Sequence, residues 1–154
     1  MRIHVTNWAS KTLRGPGPAY TIMARPRAWE RGDGTVPVLV PSHVMLTAVR
    51  RNEIGVGVYR ADYVAHLEAH GLAPGRLLAR LSAGPLARVA DGATVCCACS
   101  RAAAERGECH RVWAAELLRR AGWVVVLDGR ELAGVTADWR PVWEVTGGAS
   151  ENRR

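Results

Sequence analysis

The sequence contains no phenylalanine and a single lysine, Lys11. Its aromatic residues are six tryptophans and three tyrosines, and every other basic residue among the 21 Lys and Arg is arginine. With abundant Ala, Gly and Val, this is the bias of a GC-rich genome, which raises arginine for reasons unrelated to any partner. No apolar run approaches the roughly 18 residues that cross a bilayer. The longest, Trp123-Val-Val-Val-Leu127, has strand length, so no helical membrane span is expected. The opening Met-Arg-Ile-His-Val-Thr lacks the charged and apolar regions of a secretory leader, which predicts a cytoplasmic protein with reduced thiols. Three of the four cysteines fall within four residues, a poor disulfide framework because near neighbours cannot bridge one another. There is no internal repeat and no linker. The reading is one domain over residues 1–145, with a polar tail, 146–154, expected to be disordered.

What is present is positive charge. The net charge is +7 and the sequence pI is near 10.0. Such a balance favours an anionic small molecule or nucleic acid as partner, since phosphates attract arginine without any sequence code. The arginines do not cluster, however. They run from Arg2 to Arg154 with only short pairs, at Arg50-Arg51, Arg119-Arg120 and Arg153-Arg154. That spread favours a solvated basic surface over a dedicated nucleic-acid interface. Nothing in the sequence sets an oligomeric state.

The hydrophobic pattern predicts alternating strands and helices. Arg2–Thr6 alternates as a short strand, and Leu13–Pro18 is a Gly/Pro loop. Tyr20–Ala24 reads as a second strand, and Val36–Val40 as a third with Pro37 at its start or on an edge. Ser42 suits the N-cap of a helix reaching Arg51; a second helix spans Ala61–His70 with Gly71 as its cap, and a third runs from Pro74 to Ser82. The last unit is the most regular. Asp91-Gly92 makes a turn, Ala93–Cys97 a buried strand, and Cys109–Ala121 an amphipathic helix striped by Val112, Ala115 and Leu118. Trp123–Leu127 then returns as a strand closed by Asp128-Gly129. Strand, helix and strand over about thirty residues make a βαβ crossover with a parallel pair. The expected architecture is a small three-layer α/β/α domain with a mainly parallel sheet and a C-terminal βαβ unit.

The chemistry concentrates in residues 96–111, CCACSRAAAERGECHR. Ligands of open parallel sheets bind beyond the carboxyl ends of the strands, beside helix N-termini. That places Cys97–Cys99 and Cys109-His110-Arg111 on two walls of one crevice. The helix N-terminus favours an anion and a lowered thiol pKa at Cys109, and Arg111 could grip phosphate or carboxylate. In the metal reading, Cys97, Cys99 and Cys109, with His110, offer soft ligands for iron or zinc. Against it stand the lack of a Cys-x-x-Cys pair and the divergence of adjacent side chains in Cys109-His110. Cys96 followed five residues later by Arg101 resembles a rhodanese sulfurtransferase loop, which would imply thiol or sulfur transfer; the glycines that such a loop needs are missing. The plain reading of Cys96 is a small buried core residue.

Thr94-Val-Cys-Cys-Ala-Cys99, then Cys109-His-Arg111 and the helix Ala115–Gly122, resemble the C-terminal signature of the Domain of Unknown Function 488 family. That signature is a strand ending in Leu-Leu-Cys-x-Glu, a loop, and Cys-His-Arg opening a helix. Upstream, Ile3–Trp8, Ile22-Met-Ala-Arg25 with Trp29, and Leu39-Val-Pro-Ser42 are similar to the family's opening strand, its Ile-x-Arg strand end and its Leu-Ala-Pro-Ser segment. In this chain Cys99 stands in the place of the family's glutamate, and the loop to Cys109 is about two residues longer. The resemblance implies a compact α/β/α domain. It also implies a pocket of Thr6, Arg25, Cys97, Cys109, His110 and Arg111, suited to a nucleotide-like or nucleic-acid ligand. Cys109 and His110 are the candidate catalytic groups, as nucleophile and acid–base. A non-catalytic iron-, zinc- or DNA-binding accessory protein is the alternative.

Overall fold

The structure, a computed structural model, describes residues 1–70, 89 and 91–145. Six strands form one sheet: β1 (Arg2–Asn7), β2 (Ala19–Thr21), β3 (Thr94–Cys97), β4 (Val124–Leu127), β5 (Arg130–Val135) and β6 (Pro141–Trp143). Their spatial order is β2-β3-β1-β4-β5-β6. β1 pairs parallel with both β3 and β4, and β2 pairs parallel with β3. β5 and β6 are antiparallel additions. The mainly parallel sheet with its helices makes this a small α/β domain, as expected. Among the described residues no helix is long and apolar enough to cross a membrane. The predicted helix Pro74–Ser82, the Gly71 cap and the tail 146–154 lie outside the described residues.

Four helices are described: α1 (His43–Arg50), α2 (Val56–Ala69), α3 (Arg101–Glu105) and α4 (His110–Arg120). Ser42 caps α1 through its hydroxyl, which accepts from the Met45 N–H at 3.4 Å. α2 starts five residues before the expected Ala61, because Gly55 and Gly57 blur its first turn in the sequence. The loop between β3 and α4 holds the short helix α3, capped by Ser100. Val36–Val40 is not a strand. Its Pro37–Leu39 core folds as a 3-10 turn, since proline at the first position presets the helical φ and lacks the N–H that a ladder requires.

The βαβ unit forms with one difference from expectation. β3 and β4 are parallel but not neighbours, because β1 lies between them. The strand registers put Ile3, Val5, Val95, Cys97, Val125 and Leu127 on one face, all buried. α4 packs on this face and α2 packs on α4. Helix α4 is consequently buried on every side from His110 to Leu118, where an amphipathic helix was expected. Its outer contact is aromatic. Trp113 meets the Tyr59 ring edge-on at a centroid distance of 5.1 Å and the Tyr63 ring at 5.9 Å. Tryptophan and tyrosine thus fill the space that phenylalanine would normally occupy, and two of these three rings have a satisfied polar end. Trp113 Nε1 donates to the Gly107 carbonyl and Tyr63 Oη to the Leu39 carbonyl.

The opposite face carries Thr6, Thr94 and Cys96. It is approached by the segment following β1, where the Gly15 N–H donates to Thr94 Oγ1 at 2.8 Å. Any Cβ on Gly15 would run into the His4 ring and the Gly92 carbonyl, so only glycine lets this segment close. After β4, Asp128 (φ 47°) and Gly129 (φ 83°) form the tight reversal into β5. The β5–β6 hairpin was not anticipated. Leu132 is its only fully buried apolar residue, and too little alternation remains to mark it as a strand pair.

At the far end of α4, Glu116 is buried and its carboxylate accepts from Arg119 at 2.8 Å and Arg120 at 2.7 Å. Burial opposes ionisation, but the two guanidinium groups outweigh it and hold this carboxyl below its ordinary value. Its stabilising contribution is therefore complete above about pH 4.5 and fades as pH falls through the lower folded value. Glu116→Gln should flatten the acid arm of a plot of Tm against pH while leaving the alkaline arm unchanged.

Candidate functional site

The carboxyl ends of β1, β2, β3 and β4 converge on one edge of the sheet, and the chemistry-bearing residues follow them directly. Cys97 ends β3 and Cys99 lies two residues on, while Cys109 is the N-cap of α4. The sulfur atoms of Cys97, Cys99 and Cys109 all lie within 4.8 Å of one another, a cluster that could hold a metal ion. Cys97 Sγ and Cys109 Sγ are 3.8 Å apart. The missing Cys-x-x-Cys spacing did not prevent this grouping, because a strand end and a helix N-terminus supply the sulfurs from facing sides. His110 joins them only at the margin. Its Nδ1 is 3.9 Å from Cys99 Sγ, and its Nε2 is 3.2 Å from the Ile22 carbonyl just beyond β2. The Tyr63 ring packs edge-on against the imidazole.

Arg111 is completely buried and holds the site together. One terminal nitrogen donates to the Cys99 carbonyl at 2.6 Å and to Cys97 Sγ at 3.5 Å. The other donates to Asp128 Oδ2 at 2.8 Å and to the Ser100 carbonyl at 3.4 Å. Thr6 completes the set, its hydroxyl donating to Asp128 Oδ1 at 3.0 Å. Arg111 is thus brought beside the cysteines and Thr6 reaches it through Asp128, and the Thr6 hydroxyl and both terminal nitrogens of Arg111 are committed within the protein. Asp128 is the residue that sequence reasoning read only as a turn. The available signal was its position directly after a parallel strand, where site residues gather.

The three thiols differ in proton affinity. Burial alone would raise Cys97, but hydrogen bonds from Cys109 and Cys99 and the charge of Arg111 outweigh it and hold Cys97 well below the usual thiol range. Cys109 moves the other way, pushed up by burial and by donating to Cys97. For Cys99 a hydrogen bond from Cys109 works downward, but donation to Cys97 and burial prevail and push it up to about 12. The thiol whose pKa is lowered is thus Cys97, whereas the helix N-terminus led to the expectation of a lowered Cys109. Burial also lowers the His110 pKa and keeps the imidazole neutral. Cys96 faces away from the cluster, fully buried, with its thiol pushed up to about 12 by burial. It is a core residue, as read from the sequence.

A cavity of about 650 Å³ opens above Cys99 and His110. Its walls are the segment after β2, with Met23 and Arg25, and helix α1, with His43, Thr47, Arg50 and Arg51. None of its described lining residues is a carboxylate. Arg25 and Arg50 make no ion pair among the described residues, whereas Arg51 approaches Glu53 at 3.8 Å. A second cavity of about 600 Å³ shares Met23 and Ala24 with the first and is lined by Thr35, Ser42, Asp62 and His66 among others. Of the residues expected at the site, Arg25, Cys99 and His110 border the first cavity; Thr6, Cys97, Cys109 and Arg111 lie beneath or behind its floor. The arginine pair on α1 was noted in the sequence only as surface charge. Comparison of the chain with protein-family models, curated proteins and solved structures found no match.

Neutralising Asp128 tests what the buried pair contributes. Asp128→Asn keeps a residue suited to the left-handed backbone but leaves the Arg111 charge buried without its partner. A loss of about 3 kcal/mol in urea denaturation is expected. Thr6→Val, which removes one neutral donor to the same carboxylate, should cost about 1 kcal/mol.

Proposed function

We propose that this protein binds a phosphate-bearing, nucleotide-like anion in the arginine-walled cavity, and that it is an enzyme of nucleotide or nucleic-acid metabolism. The observation that carries this reading is the cavity wall itself: among the described residues Arg25 and Arg50 have no ion partners, Arg51 and His43 stand beside them, and no carboxylate joins the lining. Guanidinium groups converging on one concavity suit the planar, bidentate recognition of phosphate. The adjoining cavity, with hydroxyl groups from Thr35 and Ser42 and the carboxylate of Asp62, offers polar contacts to an uncharged ring attached to that phosphate. Of the two candidate catalytic residues, His110 borders the cavity and Cys109 does not. A neutral imidazole there suits the role of general base. We also propose membership of the Domain of Unknown Function 488 family. Its support is the Cys109-His110-Arg111 triplet opening a helix after a cysteine-ended strand.

The test is a thermal melt across inorganic phosphate, mono- and triphosphate nucleotides, and short single strands with and without a 5′-phosphate. A ligand at a hundred times its Kd stabilises by about 2.7 kcal/mol, a shift of several degrees for a chain of this size. The shift should vanish in Arg50→Ala and in Arg25→Ala, both surface positions whose own stability is expected to change little. A melt unmoved by every ligand would refute the reading. So would oligonucleotide binding that ignores the terminal phosphate and disappears at moderate salt, which reports charge alone.

A further inference from the structure

Beneath the arginine-walled cavity the three clustered thiols are arranged for a task that anion binding does not use. We propose that Cys97, Cys99 and Cys109 form a three-sulfur site for a thiophilic divalent cation, zinc or ferrous iron, with the fourth position left open to a non-protein ligand. The geometry points to this in three ways. Two sulfurs bound at about 2.3 Å to one tetrahedral ion lie about 3.8 Å apart, and Cys97 Sγ and Cys109 Sγ are separated by 3.8 Å. The third sulfur, Cys99, closes the triangle, with all three atoms within 4.8 Å of one another. Little movement is needed to bring them onto a common ion.

The second line concerns what surrounds the sulfurs. Metal-bound thiolates are held in place by N–H donors from the shell behind them. Arg111 occupies that position, donating to Cys97 Sγ at 3.5 Å while Asp128 fixes its other nitrogen. The third line is an orphan. Tyr59 is only 4% exposed, yet its hydroxyl has no hydrogen-bond partner among the described residues. It stands in the electrostatic field of Cys99, Cys109, Arg50 and Cys97. A buried hydroxyl left unpaired costs free energy, and a group completing the coordination of a cation at the sulfurs would supply its partner. Arg111 Nε, also buried without a partner among the described residues, belongs to the same neighbourhood. His110 is not counted among the ligands, because neither of its ring nitrogens joins the group formed by the three sulfurs. Three protein ligands and one open position make the pattern of a reactive metal rather than a sealed structural one.

The experiment is an anaerobic cobalt(II) titration of the full chain, reduced and freed of metal with a chelator, in the absence of any nucleotide. One equivalent should bind, with thiolate-to-cobalt charge-transfer absorption and intense tetrahedral d–d bands that zinc then displaces. Cys99→Ser, at a half-buried position that tolerates the change, should lose the charge-transfer band at one equivalent while its far-UV circular dichroism is unchanged. Cys96→Ser should keep the full spectrum, since that thiol lies on the other face of the sheet. Tyr59→Phe should retain the stoichiometry, bind about 10–100-fold more weakly and shift the d–d bands. Wild-type protein without a charge-transfer band would overturn the proposal, as would a folded Cys99→Ser protein whose spectrum is unchanged. An unaltered spectrum in Tyr59→Phe would remove Tyr59 from the site. Nucleotide melts run with chelator present report on the anion proposal separately, so failure of one leaves the other standing.

Discussion

The ion pair between Arg111 and Asp128 is the interaction on which the arrangement depends. A guanidinium with no exposed surface must have its charge and donors met within the protein. Meeting them requires three pieces of chain to be brought to α4 in register. The carboxylate comes from the turn after β4, two carbonyls come from the loop after β3, and Thr6 at the end of β1 steadies the carboxylate. Because β1 sits between β3 and β4, this network ties all three central strands together at their carboxyl ends. The cysteines are placed by the same network: Arg111 fixes the Cys97 sulfur and the Cys99 carbonyl, and its own helix carries Cys109 at the N-cap.

The second constraint is the burial of α4 on both sides. A helix with one apolar stripe needs one partner, but His110–Leu118 is enclosed by the sheet and by α2. That enclosure explains how a charged residue and an imidazole come to be buried in the first turn of a helix. The sheet supplies polar partners from its strand ends, and α2 supplies the rings of Tyr59 and Tyr63. The basic residues left exposed beyond this enclosure, on α1 and after β2, border the cavity above it. A protected, sulfur-rich floor and a solvated, cationic wall therefore meet at Cys99 and His110.

Much of this was legible in the sequence where periodicity and turn chemistry agreed. The strand before the cysteines, the helix after Cys109, the return strand and the Ser42 cap all follow from local pattern. So does the meeting of Cys97, Cys99 and Cys109, once the end of a parallel strand is read beside the next helix N-terminus. What local pattern does not contain is strand order. Nothing near residues 94–127 reports that β1 inserts between β3 and β4, because β1 comes from the far amino-terminal end of the chain, pairing His4 with Thr94 and Arg2 with Val124. Asp128 was hidden for the same reason, since its turn role is local and its partners, Thr6 and Arg111, are distant. Val36–Val40 misled in the opposite sense, its apolar composition outweighing a proline that turns the backbone.

The placement of Cys96 has a consequence for tracing this protein through evolution. Its side chain contributes only volume to the far side of the sheet, so substitution by another small apolar residue would leave the site chemistry intact. A search built on the conspicuous Cys-Cys pair would weight the less informative of its two members. Descent of the site is better followed by four separated marks: Cys97 and Cys99 after a strand, the Cys109-His110-Arg111 helix start, the Asp128-Gly129 turn, and Thr6 near the amino terminus. Chains that keep those marks while losing Cys96 would carry the same machinery.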